Sequence, residues 1–320
     1  MILYLSQEGV KKCLTAKDAI EAVEEGIRVL GQGEAIQPPK IYMEIEKYHG
    51  FIKPMIAYAG GSLNVSATKN FSFFPENRKY GRPTISAIII LNDPQTGAPL
   101  AIMDGTWITA LRTAATTAVA AKYLAKRNSE VVGIFGAGVQ GRSHLMCLNE
   151  MFTLKSVRIA DISKEYRNQF AEEMSKKLGL DITPVDSNEQ AVRGADIVVT
   201  VTTGSEVLVK KEWVKPGMLI AKVGSYQEVD LGIPGMVDKL VVDYWEYVIH
   251  RVQELIKTNT KRDDVYAELA EIVAGRKKGR ENDTEKVLFI SIGMGVEDAG
   301  AALHTYKRAK ELGIGQYLEA

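Results

Sequence analysis

Cysteine is scarce in this chain: Cys13 and Cys147 are the only two among 320 residues. Two thiols cannot build a disulfide framework, so a reduced, cytoplasmic protein is expected. An excess of one charge is also missing. Forty lysines and arginines balance forty aspartates and glutamates, which argues against a general nucleic-acid binder. No run approaches the roughly 18 apolar residues of a membrane span. The N-terminal MILYLSQEGVKKC meets charge too soon to read as a signal peptide. His49, His144, His250 and His304 are the only histidines, and none stands at metal-ligand spacing from another ligand type. No G-x-S-x-G nucleophile elbow occurs, nor any internal repeat. The basic run Arg276 to Arg280 has no interleaved aromatics and reads as a solvated loop.

What is present is an ordinary globular composition, 46% hydrophobic and 25% charged, long enough for about two domains. Thr15 is placed to cap a helix whose apolar residues Ala19, Ile20, Val23 and Ile27 recur at helical spacing. Strand-like segments follow at 40–46, 50–58, 67–74 and 84–92, joined by short Gly, Pro and Asn turns, which predicts an antiparallel or mixed sheet. An Ala-rich helix over 109–125 leads into a second region. There the apolar segments 131–136, 157–161, 181–186, 196–203, 218–224, 239–244 and 287–293 alternate with helical ones. Helices are expected at 245–257 and 264–274. Val- and Ile-rich strands without polar alternation are what a parallel sheet covered on both faces requires. The expected class is therefore α/β: a Rossmann-type doubly wound domain over 116–295, joined to an α+β domain formed by 1–115 and 296–320.

The strongest local signal follows the strand VVGIFG. Gly136-Ala137-Gly138-Val139-Gln140-Gly141 is a complete G-x-G-x-x-G between a strand and a helix. In that setting the first glycine permits the turn, the second lets backbone approach a pyrophosphate, and the third lets helix and strand pack closely. Asp161, twenty residues beyond Gly141 at the end of the next strand, is placed to accept the adenosine ribose hydroxyls and to repel a 2′-phosphate. NAD is thus expected ahead of NADP, with Arg158 and Lys164 the nearby cations that could oppose this preference.

Cations stand in unusual settings in the first domain. Lys69 lies in SATKNFSFF, Arg112 in the small, apolar TALRTAATTAVA, and Lys40 just after Pro38-Pro39. A buried arginine needs an anion, and its planar fork suits a carboxylate or phosphate. At this point the chain resembles the ornithine cyclodeaminase/mu-crystallin family, which includes archaeal-type alanine dehydrogenases and ketimine reductases. The resemblance rests on ATKNFSFFPENRKYGRPT (67–84), LNDPQTGAPLAIMDGTWITALRTAA (91–115), VVGIFGAGVQGRSHL (131–145), GADIVVTVTT (194–203) and SIGMGVEDAGAA (291–302).

The resemblance implies an NAD(H)-dependent oxidoreductase that transfers hydride at the alpha carbon of an amino, imino or 2-oxo acid, assembled as a homodimer. It implies that Lys69 and Arg112, with Lys40 and Met55, bind the substrate. It assigns Thr84, Arg112, Thr113, Gly136, Gly138, Val139, Gln140, Gly141, Asp161, Thr202, Val223, Gly224, Ser225 and Gly293 to the cofactor, and no metal. One departure matters. Cyclodeaminases resemble G-x-D-x-P-G-K after the strand that ends at Gly224, and their aspartate is the acid/base group. Here the chain reads Gly224-Ser225-Tyr226-Gln227-Glu228-Val229-Asp230, with Tyr226 at that position and Glu228 two residues on. The departure favours a dehydrogenase or cyclic-imine reductase over ornithine cyclisation; mu-crystallin also lacks that aspartate, and a mu-crystallin-like binding role stays as a second alternative. It leaves Tyr226, Glu228, Lys69 or a held water as the proton source.

Overall fold

The structure is a computed structural model that describes residues 1–319, apart from the side chain of Arg78. The chain divides into two compact units, Met1–Thr113 with Met294–Ala320, and Ala114–Gly293.

The first unit opens with β1 (Ile2–Leu5), α1 (Gln7–Cys13) and α2 (Ala16–Gly31). Thr15 caps α2 in a full capping box with Asp18, which satisfies two of the orphan N–H groups at the helix start. Then come β2 (Ala35–Ile36), β3 (Met43–Ile45), β4 (Gly50–Ala59), β5 (Val65–Phe73), β6 (Ile85–Asn92) and β7 (Pro99–Asp104), followed by α3 (Thr106–Leu124), which carries the chain onward. The sheet runs β16-β1-β7-β6-β5-β4-β2, with β16 (Gln316–Leu318) at one edge and β3 paired to β4. Only β1 and β7 pair in parallel, so the sheet is mixed. Its inward residues include Ala57, Ala67, Ile89, Leu91 and Met103, all buried. Two helices, α2 and α10 (Gly295–Leu312), pack together, and α10 also lies against β4 and β5.

The second unit holds β8 (Val131–Phe135), α4 (Val139–Met151), β9 (Ser156–Ala160), α5 (Lys164–Leu178), β10 (Ile182–Pro184), α6 (Asn188–Val192), β11 (Ile197–Thr200), β12 (Leu219–Val223) and β13 (Lys239–Val242). They are followed by α7 (Trp245–Val248), α8 (Gln253–Lys257), β14 (Ala267–Glu268), α9 (Leu269–Val273) and β15 (Val287–Ser291). The sheet order is β10-β9-β8-β11-β12-β15-β13-β14, parallel throughout. The order doubles back on either side of β8, as a doubly wound sheet does. Phe135, Val198, Ile220, Leu288 and Ile290 stand in one of its hydrophobic clusters.

Several local expectations need correction. The segment 40–46 yields only the short β3, because Pro38 and Pro39 supply no N–H to a ladder and pairing begins at Met43. The helix expected at 245–257 is broken into α7 and α8. Gln253 donates its N–H to the Ser225 carbonyl instead of to its own helix. The helix expected at 264–274 becomes a 3-10 turn (Arg262–Asp264), the strand β14 and the short α9. The turn at Asp93–Gly97 returns the chain as β7, a strand not marked by the sequence pattern; Asp93 and Ala98 close the hairpin.

Candidate active site

In the first unit, period-2 alternation along β5 turns Val65, Ala67 and Lys69 inward while Asn70 faces out. A lysine thereby stands where the sheet buries its apolar residues, opposite Met55 on β4. Lys69 is fully buried, and Nζ donates to Oδ1 of Asp298 at 2.6 Å. Arg112, projecting from α3, donates from Nε to the same oxygen at 2.9 Å and from Nη1 to Oε2 of Glu297 at 2.9 Å. The two acids come from the first turn of α10, where the helix dipole favours negative charge.

A third buried cation, Lys53, lies on β4 two residues before Met55. Its ammonium stands 5.0 Å from the Tyr42 ring centroid and 5.1 Å from that of Phe71, and Phe51 stacks on Phe71. Burial pushes the Lys53 pKa well below the usual lysine range, and the charges of Lys40, Lys69 and Arg112 add to the effect. For Lys69, burial and then Arg112 lower the pKa to about 7 against the pull of Asp298. Burial also opposes the charge on Arg112, but Asp298 and Glu297 outweigh it and its pKa is raised. Lys69 and Arg112 thus share two carboxylates, with buried Lys53 and half-buried Lys40 in electrostatic reach. Such an arrangement of donors can take up an anion. Sequence reasoning does not single out Lys53, Glu297 or Asp298, although two adjacent acids in the Gly/Ala-rich segment GMGVEDAGAA carry the same kind of signal that marked Arg112. Thr84 and Thr113 also lie in this unit; Thr113 Oγ1 donates to the Thr109 carbonyl.

In the second unit, the residues assigned to a nucleotide line the carboxyl ends of β8, β9, β11, β12 and β15. Gly141 is required by close packing, since a Cβ there would sit 2.0 Å from the Gly136 carbonyl oxygen. Gly138 is the N-cap of α4, with no side-chain cap and open space where a Cβ would stand. That leaves helix N–H groups for phosphate oxygens. Asp161 accepts from Ala137 N and Ser163 N, each at 2.8 Å. Each carboxylate oxygen keeps a lone pair for a ribose hydroxyl. Arg158 turns away and donates to the carbonyls of Gln190 and Arg193, while Lys164 is exposed on α5. Gly293 donates its N–H to Oδ2 of Asp243 at 2.7 Å, and Gly224 donates to the Ser291 carbonyl. The donor set fits a dinucleotide.

Tyr226 is exposed on the segment after Gly224. Glu228, one of the proton sources that the sequence leaves open, is buried and hydrogen-bonded to threonines of its own unit. Its oxygens accept from Thr200 Oγ1 (2.8 Å), Thr202 Oγ1 (2.6 Å) and Thr202 N (3.0 Å). Burial raises its pKa against those hydrogen bonds. Behind it, Glu254 accepts from the Glu228 and Val229 N–H groups and pairs with buried Lys222 at 3.1 Å. Glu228 therefore fastens the strand ends and the loop that bears Tyr226. His144, fully buried, accepts from Thr117 Oγ1 and donates to the Gln140 carbonyl, and is structural. Among the described residues there is no His, Cys, Asp and Glu cluster able to hold a metal ion, and no helix is long and apolar enough to cross a membrane.

Comparison with known proteins gives a match to the family model "Ornithine cyclodeaminase/mu-crystallin family" over residues 2–313. The alanine dehydrogenase of Archaeoglobus fulgidus is 36% identical over 99% of this chain and 98% of its own. The structure of Thermococcus litoralis Δ1-pyrroline-2-carboxylate reductase, in complex with NADH and L-proline, superposes with a TM-score of 0.95. It is 42% identical and covers 99% of this chain and 100% of that one. An archaeal alanine dehydrogenase dimer with bound NAD gives a TM-score of 0.92 at 35% identity, covering 99% of both chains.

Proposed function

Because the chain belongs to the ornithine cyclodeaminase/mu-crystallin family, we propose that it is an NAD(H)-dependent oxidoreductase of amino and imino acids, acting at the carbon that bears both carboxylate and nitrogen. The observation that carries this reading is the buried cluster of Lys53, Lys69 and Arg112 around Glu297 and Asp298. A substrate carboxylate completes its charge balance, and fixing that carboxylate fixes the alpha carbon beside it. The glycine loop over 136–141 and Asp161 hold the dinucleotide, which supplies or accepts the hydride. Asp161, with Arg158 directed elsewhere, supports NAD over NADP.

A cyclic imino acid of the pyrroline-2-carboxylate type is the first candidate substrate. The Thermococcus litoralis relative shares more identity than the alanine dehydrogenases, and Tyr42, Phe51 and Phe71 offer ring faces beside Lys53. Pyruvate with ammonia is the second. A diamino acid is disfavoured, since burying its second ammonium near Lys53, Lys69 and Arg112 would set like charges together without solvent. Cyclisation of ornithine is accordingly not expected. Lys69, with a pKa of about 7, can hold or release a proton at neutral pH, and Tyr226 is the other candidate donor. The buried free thiols Cys13 and Cys147 are consistent with a reducing cytoplasm.

The active assembly we propose is a homodimer formed through the first unit's sheet. On the face away from α10, Ile56, Thr68, Ile90, Ile102 and Tyr4 stand in register across β4, β5, β6, β7 and β1. Ile56, Ile90, Tyr4 and the neighbouring Ile88 are exposed. A contiguous apolar row of this kind marks an interface, and the archaeal alanine dehydrogenase with bound NAD is a dimer.

The direct test follows NADH absorbance with pyrroline-2-carboxylate, piperideine-2-carboxylate, and a series of 2-oxo acids with ammonia. Net NADH oxidation is expected with at least one of them and none with ornithine, and NADPH should serve less well than NADH. Conversion of ornithine to proline and ammonia with no net change in NADH would overturn the reading.

A further inference from the structure

The carboxylate of Asp298 is 1% exposed, and only one of its oxygens is used. Oδ1 receives both Lys69 Nζ and Arg112 Nε, while Oδ2 is buried with no hydrogen-bond partner among the described residues. A solvent-excluded carboxylate oxygen without a donor is costly. Here it lies in the cationic cluster proposed to bind the substrate carboxylate, held by the same two side chains. The surroundings ask for a donor on a molecule whose other end is anionic. An alpha-amino or protonated alpha-imino acid is such a molecule.

We infer that Asp298 is a substrate-binding catalytic residue whose Oδ2 accepts the N–H of the substrate's imine or amine nitrogen, so that it selects nitrogen-bearing acids over their carbocyclic or 2-oxo counterparts. The inference rests on the reading of this cluster as the substrate carboxylate site. Its chemical consequence follows directly. The protonated imine is the electrophilic form, and a carboxylate facing its N–H stabilises that form. When hydride adds to the alpha carbon, the C=N π pair becomes the nitrogen lone pair, and the proton facing Asp298 stays on nitrogen. Iminium plus hydride gives the neutral amine, so the step needs no further proton. In the oxidative direction Asp298 faces the amine and stabilises the positive charge that develops as hydride leaves. The pairing of Oδ1 with Lys69 and Arg112 keeps the acid in the register that carboxylate recognition sets, one side chain serving both ends of the substrate.

The test compares two ligands of nearly the same shape, L-proline and cyclopentanecarboxylate, which differ in the ring nitrogen. Their dissociation constants are measured with the intact protein in the presence of cofactor, by fluorescence titration or calorimetry. Wild-type protein is expected to bind proline at least about tenfold more tightly, the worth of one buried charged hydrogen bond. Asp298→Asn should remove most of that ratio by weakening proline, with cyclopentanecarboxylate bound as well as before or better, because a negative charge has left the site. Equal affinities in wild-type protein, or an unchanged ratio in Asp298→Asn, would overturn the inference. If the variant does not fold, the wild-type ratio alone decides. Failure of wild-type protein to bind either carboxylate would instead count against the reading of the cluster as the substrate site.

Discussion

Lys69 is a lysine denied water. Burial and the neighbouring guanidinium bring its pKa to about 7, so without ligand it is about half-protonated at neutral pH. A bound carboxylate stabilises the ammonium and raises that pKa, so binding takes up a proton above pH 7. Affinity for a simple carboxylate such as cyclopentanecarboxylate should therefore fall as pH rises past about 7, approaching tenfold per unit. Lys69→Arg, which stays charged, should flatten the profile. Ligand titrations between about pH 6 and pH 9 check both, and a flat wild-type profile would exclude Lys69 as the titrating contact. Lys69 and Arg112 were legible in the sequence because a cation inside a small, apolar stretch is an anomaly with few remedies. Lys53 was not, since one lysine in the strand expected at 50–58 does not reveal which face of the sheet it takes. Glu297 and Asp298 carry a similar signal in GMGVEDAGAA, but only the return of α10 to β5 gives them Lys69 and Arg112.

At the scale of elements, legibility followed how local the cause was. The glycine loop and the capped α2 are specified by residues within a few positions of one another. The break between α7 and α8 depends on a carbonyl at Ser225, far away in the chain, and no periodicity announces it. Helix α4 supplies a test of its own. Burial outweighs the Gln140 carbonyl and takes the His144 pKa from 6.5 to about 4, so the native protein keeps the ring neutral. The unfolded chain binds the proton first on acidification, and the stability this histidine contributes is intact above about pH 6.5 and lost towards pH 4. The loss amounts to about 3 kcal/mol at its limit. Urea unfolding at neutral and acid pH should show a smaller acid penalty for His144→Gln than for wild-type protein, and equal penalties would contradict the neutral ring.

For the whole molecule, alternating apolar strands and helices predicted a doubly wound sheet, which the second unit contains, whereas β1 and β16 gave little sign of joining the other sheet. Such edge pairings join distant parts of the chain. The exposed apolar row on the first unit's sheet yields the assembly prediction. Two like charges in the middle of it, Ile88→Glu with Ile90→Glu, should reduce the mass measured by light scattering to that of one chain, and an unaltered mass would place the interface elsewhere. The discontinuity of the first unit has a further consequence, for biosynthesis. A ribosome emits Lys69 and Arg112 early, but Glu297 and Asp298 only after residues 114–293 have been made. Domains formed from one continuous stretch can fold as they emerge, and the second unit is of that kind. The first must wait, its ammonium and guanidinium groups still hydrated, until the helix that neutralises them is translated. The buried ion pairs are then a late checkpoint: a nascent chain stopped before Gly295 has Lys69 and Arg112 and lacks Glu297 and Asp298, the two acids they pair with once buried.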